Sequence, residues 1–265
     1  MAIELDTLRK AQLVMLEMLV EFDALCQKYH LKYWLDSGTL LGAVRHQGFI
    51  PWDDDIDISM PIEDYTKFQE IAQNELSENI FFQTMQTDKN FKFDYIKLRS
   101  NKAKIVEFHE KEREVGYHQG VFIDIFPMLT LPNTEFHKAF YHDIFKLIRS
   151  VSSVSLHTPE GKDDPKTRKK LVEALDEMHQ GWSEKDTKVI YSGKMPDVAA
   201  WFDIEEIFPL KKIEFEGFEF YVPHNPGHYL SSIYSFNYMV ERSYIQPQKL
   251  ELVIIKREEL LQNAA

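Results

Sequence analysis

Residues 33–60 read YWLDSGTLLGAVRHQGFIPWDDDIDISM, and segments of different periodicity follow one another within them. Residues 33–35 are aromatic and apolar, residues 36–38 (DSG) are a turn signal, and residues 39–46 have helical spacing. An acidic run comes next. It is followed by residues 56–60, in which apolar and polar side chains alternate. The pattern predicts a strand, a glycine turn and a helix, followed by a second strand that carries carboxylates.

The acidic run places four aspartates within five positions, at Asp53, Asp54, Asp55 and Asp57. Ionised carboxylates repel one another and resist burial, so a folded chain accepts such a cluster only where water or a cation takes up the charge. A solvated acidic turn is the ordinary interpretation of a charge run. A cation site is the alternative, and other parts of the chain bear on the choice.

The strand that follows orients part of the acidic run. Ile56 and Ile58 alternate with Asp55, Asp57 and Ser59, which predicts an apolar packed face and an outward polar face. Carboxylates two positions apart on a strand point the same way and lie about 7 Å apart at Cα. This geometry predicts that Asp55 and Asp57 can hold a hard cation together.

The cation that suits these ligands is Mg²⁺, with Mn²⁺ as the alternative. Mg²⁺ prefers oxygen ligands and usually binds through one or two carboxylates plus substrate phosphates. Asp53 and Asp55 have the same spacing as Asp55 and Asp57, so they form a second candidate pair. We prefer Asp55 and Asp57 because the neighbouring isoleucines fix the register of their strand.

A further carboxylate, Asp124, lies in the otherwise apolar stretch GVFIDIFPM at residues 120–128. It would complete the metal site as a third ligand, or act as the base that accepts the proton of an acceptor hydroxyl. A buried carboxylate that accepts backbone N–H groups is the structural alternative.

The turn before the first helix is suited to phosphate. Gly38 at a helix start lets backbone N–H groups approach an anion without a side chain in the way, and the helix dipole favours negative charge. Thr39 can add a hydroxyl donor, and Ser37 precedes the glycine. We therefore expect Ser37, Gly38 and Thr39 to bind substrate phosphate.

Three basic residues are further candidates for substrate binding. Lys97 and Arg99 alternate along DYIKLRS, so they would lie on one strand face and offset phosphate charge. An exposed edge strand with basic residues that discourage pairing is the alternative. Arg45, on the predicted short helix, could reach either phosphate or the acidic run.

The composition limits the class of protein. A chain of 265 residues with a net charge of −12 can bury a proper core, but it lacks the basic surface that nucleic acid requires. The single cysteine excludes an internal disulfide framework. No window approaches the roughly 18 uncharged apolar residues of a membrane span, and the acidic N-terminal segment does not resemble a signal peptide. We expect a cytoplasmic protein without a transmembrane segment or a nucleic-acid partner.

Periodicity predicts the remaining elements. The predicted helices cover residues 7–29, 62–73, 134–156 and 166–178, and two more begin near residues 227 and 250. The predicted strands cover residues 80–84, 94–99, 103–108, 120–128 and 218–222.

Three segments resemble the LicD family of phosphotransferases, which belong to the nucleotidyltransferase superfamily. LDSGTLLGAVRHQGFIPWDDDIDISM (residues 35–60) resembles the family signature, and GVFIDIFPM resembles the carboxylate strand that follows it. NPGHYLSSIYSFNYM (residues 225–239) resembles a C-terminal block of the family. The interval before Asp55 is longer than is usual in the superfamily, so residues 46–54 must fold back.

The resemblance implies an α+β fold, with a nucleotidyltransferase-like mixed β-sheet core flanked by helices and an additional helical C-terminal region. It implies Asp55, Asp57 and Asp124 as metal ligands. We expect residues 1–130 to form the catalytic core with an N-terminal helix. Residues 131–265 would then complete the core and the acceptor site.

The resemblance also implies a reaction. The family is associated with the transfer of phosphocholine, or a related phospho-alcohol, from a cytidine diphosphate (CDP) conjugate such as CDP-choline. The acceptor would be a hydroxyl of a cell-surface glycan precursor, such as a teichoic acid or lipopolysaccharide sugar. A lipid-linked glycan acceptor would bring peripheral contact with the inner face of the membrane.

Two other functions fit the same acidic segment. One is nucleotidyl transfer from a nucleoside triphosphate with release of pyrophosphate, and the other is a non-catalytic cation-binding module. An EF-hand calcium loop fits poorly, because a loop counted from Asp53 has Ile58 and Asp64 where glycine and glutamate are required. A choline headgroup would need an aromatic cage, and its candidates are Tyr117, Tyr221, Tyr229, Tyr234 and Tyr238.

Overall fold

The structure is a computed structural model, and it describes most of the first half of the chain and parts of the second. The described residues are 5–91, 93, 95–106, 115–135, 138–140, 143, 170, 187–192, 200–234, 236–240 and 251–253. The predicted helix over 166–178 and most of the predicted helix over 134–156 lie outside these ranges.

The chain forms two compact units. Unit 1 contains residues 1–127 and 206–265, and unit 2 contains residues 128–205. All the candidate site residues named above lie in unit 1. The division of the chain at residues 130 and 131 stays a prediction.

The elements of the described chain alternate between helices and strands. The helices are α1 (Leu5–Tyr29), α2 (Ser37–His46), α3 (Ile62–Glu75), α4 (Ile204–Ile207) and α5 (Pro226–Tyr234). The strands are β1 (Trp34–Leu35), β2 (Asp57–Pro61), β3 (Ile80–Gln83), β4 (Ile96–Val106), β5 (Gly120–Pro132), β6 (Thr187–Ser192), β7 (Ala200–Asp203), β8 (Lys211–Phe215), β9 (Phe218–Val222) and β10 (Glu251–Val253).

The sheet of unit 1 has the strand order β1-β2-β5-β4-β10, and β3 also pairs with β4. Strands β8 and β9 form a separate antiparallel hairpin. In unit 2, the second part of β5 pairs with β6, which pairs with β7. Helices together with a β-sheet confirm the α+β class. None of the helices in the described ranges combines the length and apolar character that crossing a membrane requires.

Several predicted elements agree with the structure and others do not. The helix over residues 7–29 and the strand–turn–helix over residues 33–46 are confirmed as α1, β1 and α2. The two strands predicted over 94–99 and 103–108 are one continuous strand, β4, with a shift of register between Arg99 and Lys104. The helix predicted from residue 250 is wrong over Glu251–Val253, because this segment pairs antiparallel with β4.

The amphipathic pattern of α1 explains how that helix packs. Its buried side chains include Leu8, Met15, Leu19 and Phe22, and they recur at the three- and four-residue spacings of one helix face. The ring of Phe22 meets Tyr33 edge to face at a centroid distance of 5.0 Å. Helix α1 therefore packs against Tyr33, in the segment that contains β1 and leads on towards the acidic run.

A polar network lies in the core beside the β4–β5 pair. The fully buried ring of His118 stacks on Phe81 at a centroid distance of 4.7 Å. The Gly120 N–H donates to His118 Nδ1 at 3.0 Å, and His118 Nε2 lies 2.9 Å from Asn101 Oδ1. Since Nδ1 accepts and the amide oxygen of Asn101 needs a donor, these contacts fit a neutral imidazole with its proton on Nε2.

His118 should make stability depend on pH. Burial, and then the nearby charge of Arg99, lowers the pKa of His118 from its ordinary 6.5 to about 3. The unfolded chain takes up a proton on this ring below pH 6.5 and the folded chain does not, so stability is lost as pH falls. We expect His118 to account for about 2 kcal/mol of lost unfolding free energy between pH 7 and pH 5.

Urea unfolding of the wild type and of His118→Gln at both pH values measures this contribution. The carboxylate contributions are common to both proteins, so the difference between their pH slopes isolates the histidine. Equal slopes would show that His118 is not held neutral.

Candidate active site

The turn before α2 is organised by Asp36 rather than by glycine. Asp36 is 1% exposed, and its Oδ1 accepts the Ser37 N–H at 2.6 Å, which caps the helix. Its Oδ2 accepts the hydroxyl of Ser59. The left-handed residue of the turn is Ser37, with φ 48°. Ser59 is thus buried, which corrects the prediction that it faces outward with the carboxylates.

Gly38 lies directly against the acidic run. A Cβ added to Gly38 would lie 2.9 Å from Asp53 Oδ2. This approach confirms that residues 46–54 fold back towards the turn. Because glycine has no Cβ, the Asp53 carboxylate fits beside Gly38 at the start of α2. The N-terminus of α2 and the acidic run are therefore adjacent.

Thr39 fixes the start of β2. Its side chain is buried, and Thr39 Oγ1 accepts the Asp57 N–H at 2.9 Å. The Asp36 N–H donates to the Asp57 carbonyl at 3.0 Å, so the backbone of Asp57 is held on both sides. The assignment of Ser37, Gly38 and Thr39 to substrate phosphate stays a prediction.

Three consecutive carboxylates converge in the acidic run. Asp53, Asp54 and Asp55 are half-buried, and each offers one oxygen that lies within 4.8 Å of the other two. This arrangement could hold a metal ion. The metal set predicted from the sequence, Asp55 with Asp57 and Asp124, shares Asp55 with this cluster and stays a prediction.

The charges in this cluster oppose one another strongly. Burial, and then the charges of Asp54 and Asp57, raises the pKa of Asp53 to about 7, although Arg45 acts in the opposite direction. Burial is the largest cause of this shift, and the neighbouring carboxylates add to it because their negative charges lie close together. A divalent cation would offset these charges.

Carboxylates from two parts of the chain affect the pKa of Asp55. Burial raises the pKa of Asp55 well above its usual range, and the charges of Asp57, Asp53, Asp54 and Asp124 raise it further. Since Asp124 is on β5, its negative charge reaches Asp55 from a different strand. Strand β5 is hydrogen-bonded to the segment just before β2, because the Asp124 N–H donates to the Ile56 carbonyl at 2.8 Å.

Asp124 is buried together with a basic partner. Lys97 Nζ lies 2.7 Å from Asp124 Oδ1 and 2.9 Å from its Oδ2. Lys97 also lies over the ring of Phe122, with 3.3 Å between Nζ and the ring centroid. The carboxylate and the face of the aromatic ring thus both contact the buried ammonium of Lys97.

Lys97 and Arg99 lie on one face of β4, as their alternation predicts. Both cations lie over the Phe122 ring, and both side chains are buried. The edge-strand alternative is wrong, because β4 is paired on both sides. Arg99 donates from Nε to Gln83 Oε1 at 2.6 Å and from Nη1 to the Gly120 carbonyl at 2.9 Å. Binding of substrate by Lys97 and Arg99 stays a prediction.

Helix α5 brings aromatic residues to the acidic site. It packs against α2, and Trp34 Nε1 donates to the Tyr229 hydroxyl at 3.2 Å. Burial raises the pKa of Tyr234, and the charges of four site aspartates raise it further, Asp57 first. Arg45 Nη1 donates to the Tyr238 carbonyl at 3.0 Å.

The other two headgroup candidates lie elsewhere. The ring of Tyr221 packs against Tyr33 at 5.5 Å, and the ring of Tyr117 packs against Phe91 at 6.2 Å. Of the five tyrosines, Tyr229 and Tyr234 of α5 are therefore the ones that the charges of the aspartates reach.

The sequence analysis missed two side chains that hold the acidic run. Gln12 of α1 donates to the Asp53 carbonyl, and Glu216 at the tip of the β8–β9 hairpin accepts from the Phe49 N–H. Both are distant in sequence from residues 47–54, and neither belongs to a local motif. Only the tertiary fold reveals them.

The arrangement defines an α+β protein with a carboxylate-rich candidate active site, where a folded-back acidic loop meets a helix start and a second strand. Residues 30–150 match the family model described as LicD/FKTN/FKRP, nucleotidyltransferase domain. Residues 30–150, slightly less than half of the chain, therefore belong to the LicD family.

Individual relatives agree with the family model. The chain is 39% identical over 128 residues to lipopolysaccharide cholinephosphotransferase LicD of Haemophilus influenzae, which covers 48% of this chain and 46% of the relative. It is 50% identical over 62 residues to the uncharacterized protein RT0683 of Rickettsia typhi, with 23% of this chain and 20% of the relative covered. It is 29% identical over 73 residues to human ribitol 5-phosphate transferase FKRP, with 28% and 15% covered. Each match spans less than half of the relative's length.

Proposed function

We propose that this protein is a metal-dependent phosphotransferase with a nucleotidyltransferase-like core. It moves phosphocholine, or a related phospho-alcohol, from a CDP conjugate to a hydroxyl of a cell-surface glycan precursor. The observation that carries the proposal is the convergence of Asp53, Asp54 and Asp55 beside the start of α2. The names of two relatives support the group transferred, since one is a cholinephosphotransferase and the other a ribitol 5-phosphate transferase.

The residues present fit a divalent cation. Every donor in the cluster is a carboxylate oxygen, which suits Mg²⁺ or Mn²⁺. The raised pKa of Asp53 and Asp55 marks a negative charge that a cation would offset. Asp55 is the central ligand in this proposal, with Asp57 and Asp124 as further carboxylates. When bound, the metal would neutralise charge on the diphosphate of the donor.

The chain's own residues then position the two substrates. The backbone N–H of Gly38 would face the diphosphate, while the Ser37 N–H stays bonded to Asp36. Asp124 orients the acceptor hydroxyl and accepts its proton. A bond forms between the acceptor oxygen and the phosphorus of the phospho-alcohol. The bond from that phosphorus to the bridging oxygen breaks, and cytidine monophosphate leaves with the electron pair. Catalysis of this kind depends mainly on positioning and charge neutralisation.

The acceptor determines where in the cell the protein would act. A glycan precursor such as a teichoic acid or lipopolysaccharide sugar that is carried on a lipid would bring the protein to the inner face of the membrane. The chain would then act as a cytoplasmic protein with peripheral membrane contact.

Phosphorus NMR of the purified chain with CDP-choline, Mg²⁺ and candidate glycans tests the proposal. We expect the signals of the diphosphate to give way to those of cytidine monophosphate and a new phosphodiester. Release of pyrophosphate from cytidine triphosphate would instead indicate nucleotidyl transfer. If neither donor turns over with any acceptor and Mg²⁺ still binds, the chain is a cation-binding module.

A further inference from the structure

The acidic run begins in a loop, residues 47–54, that is held by parts of the chain far away in sequence. One of them is the tip of the β8–β9 hairpin. The Glu216 N–H donates to the Gln47 carbonyl at 2.9 Å, and the Phe49 N–H donates to Glu216 Oε1 at 3.0 Å. The hairpin turn has left-handed residues at Glu216 and Gly217, with φ 54° and 81°. This turn directs the Glu216 side chain onto the start of the loop.

Helix α1 holds the same loop near its other end. Gln12 is 2% exposed, and its Nε2 donates to the Asp53 carbonyl at 2.9 Å and to the Ile50 carbonyl at 3.4 Å. Gln12 is therefore bonded to the backbone of the first aspartate of the cluster. Because its amide carries no charge, it fixes this backbone without neutralising the carboxylates.

Arg9 joins the two holding points. Its Nη1 and Nη2 donate to Glu216 Oε1 and Oε2 at 3.0 and 2.6 Å, and Nη1 also donates to Gln12 Oε1 at 3.2 Å. A continuous chain of hydrogen bonds thus runs from the Phe49 N–H through Glu216, Arg9 and Gln12 to the Asp53 carbonyl. We call Arg9, Gln12 and Glu216 the loop clamp.

We infer that Gln12 and Glu216 are positioning residues, which hold loop 47–54 so that Asp53 and Asp54 converge with Asp55 on one cation. The inference rests on the proposed function for the identity of the ligand. Like charges separate when their backbone is free to move, so the convergence of three carboxylates requires a restraint on the backbone that carries them. A restrained ligand set binds metal more tightly, because less order is imposed when the ion arrives.

A purely structural role for the clamp predicts something different. The side chains of Arg9 and Glu216 are 45% and 16% exposed, and an ion pair this accessible contributes little to the stability of the fold. The clamp contacts the loop backbone at Gln47, Phe49, Ile50 and Asp53, which lead up to and include the first acidic residue, so its main effect is on the placement of the acidic residues. Metal affinity is accordingly the property that should change.

Gly48 offers an independent way to disturb the clamp. A Cβ added to Gly48 would lie 2.5 Å from Glu216 Oε1, so Gly48→Ala pushes this carboxylate away from the loop. The contact is with the end of a side chain, which can move, so the fold can accept the alanine. The variant removes neither a charge nor a donor from the clamp.

Calorimetric titration of the full chain with Mn²⁺ alone tests the inference. Gln12→Met keeps the length of the side chain and removes its donors, and we expect it to weaken Mn²⁺ binding about tenfold. The control is Gln27→Met on the same helix, where the exposed amide donates to Asp23. The control should change the Kd by no more than about twofold. Glu216→Gln and Gly48→Ala should weaken binding in the same direction as Gln12→Met.

The possible results separate the inference from the proposed function. If the wild type binds no Mn²⁺, the metal site itself is wrong. If the wild type binds Mn²⁺, while Gln12→Met and Gly48→Ala bind it equally well, only the positioning role is wrong, whatever their melting temperatures. In turnover assays, the positioning role predicts a higher Mn²⁺ requirement for Gln12→Met with kcat restored at saturating metal.

Discussion

Asp55→Asn is expected to reduce phospho-alcohol transfer by about 10³-fold, because it removes the carboxylate common to the converging cluster and to the predicted metal set. The asparagine is nearly isosteric, so the loop can keep its course. The measurement is the initial rate of cytidine monophosphate release from CDP-choline in Mg²⁺.

The same variant should be more stable than the wild type when no metal is present. Burial, and then the charges of the surrounding carboxylates, raises the pKa of Asp55, so its ionised form opposes folding, and this cost increases as pH rises above the ordinary value of the group. We expect a higher melting temperature for Asp55→Asn in a chelator at pH 8. The control is Glu63→Gln, which removes one exposed charge from α3 and should change neither rate nor stability. Retention of activity by Asp55→Asn would refute the assignment of this residue.

The second large effect is on stability and comes from Lys97→Met. The variant leaves the Asp124 carboxylate buried without the ammonium that lies 2.7 Å from it. Breaking a buried pair by removing one partner costs about 3–5 kcal/mol, because the remaining charge is not compensated. Urea unfolding at neutral pH measures the loss.

Lys102→Met is the matched control on the same strand. Its ion pair with Glu17 is exposed, with side-chain accessibilities of 51% and 66%, so the loss should stay below about 1 kcal/mol. The double variant Lys97→Met/Asp124→Leu removes both charges and should recover much of the stability. If Lys97→Met and Lys102→Met lost the same unfolding free energy, the buried Lys97–Asp124 pair would not stabilise the fold in the way argued above.

Local patterns were sufficient to predict the elements around the acidic run. Helix α1, the segment through β1 and α2, and the buried face of Ile56 and Ile58 all follow from spacing that a single segment contains. These features are local because each depends on the period of one element.

Other features depend on partners that the sequence does not indicate. Glu251–Val253 has too few residues to distinguish a strand from a helix, and its pairing with β4 decides its conformation. Lys97 and Arg99 are charged, so they suggest an exposed strand, yet the Phe122 ring and Asp124 hold them in the core.

The organisation of the turn was also not predictable from its residues. The sequence predicted a turn at DSG, but it did not indicate that Ser37 has the left-handed backbone or that Asp36 caps the helix. Gly38 is instead needed for the approach of Asp53, which is a tertiary contact.

Anomalous diffraction from crystals that contain Mn²⁺ and a CDP-alcohol tests the central claim most directly, since it locates the ion itself. The account predicts a peak about 2.2 Å from a carboxylate oxygen of Asp55, with the diphosphate bound on its other side. A peak at another position, with Asp55 making no contact to it, would contradict the account.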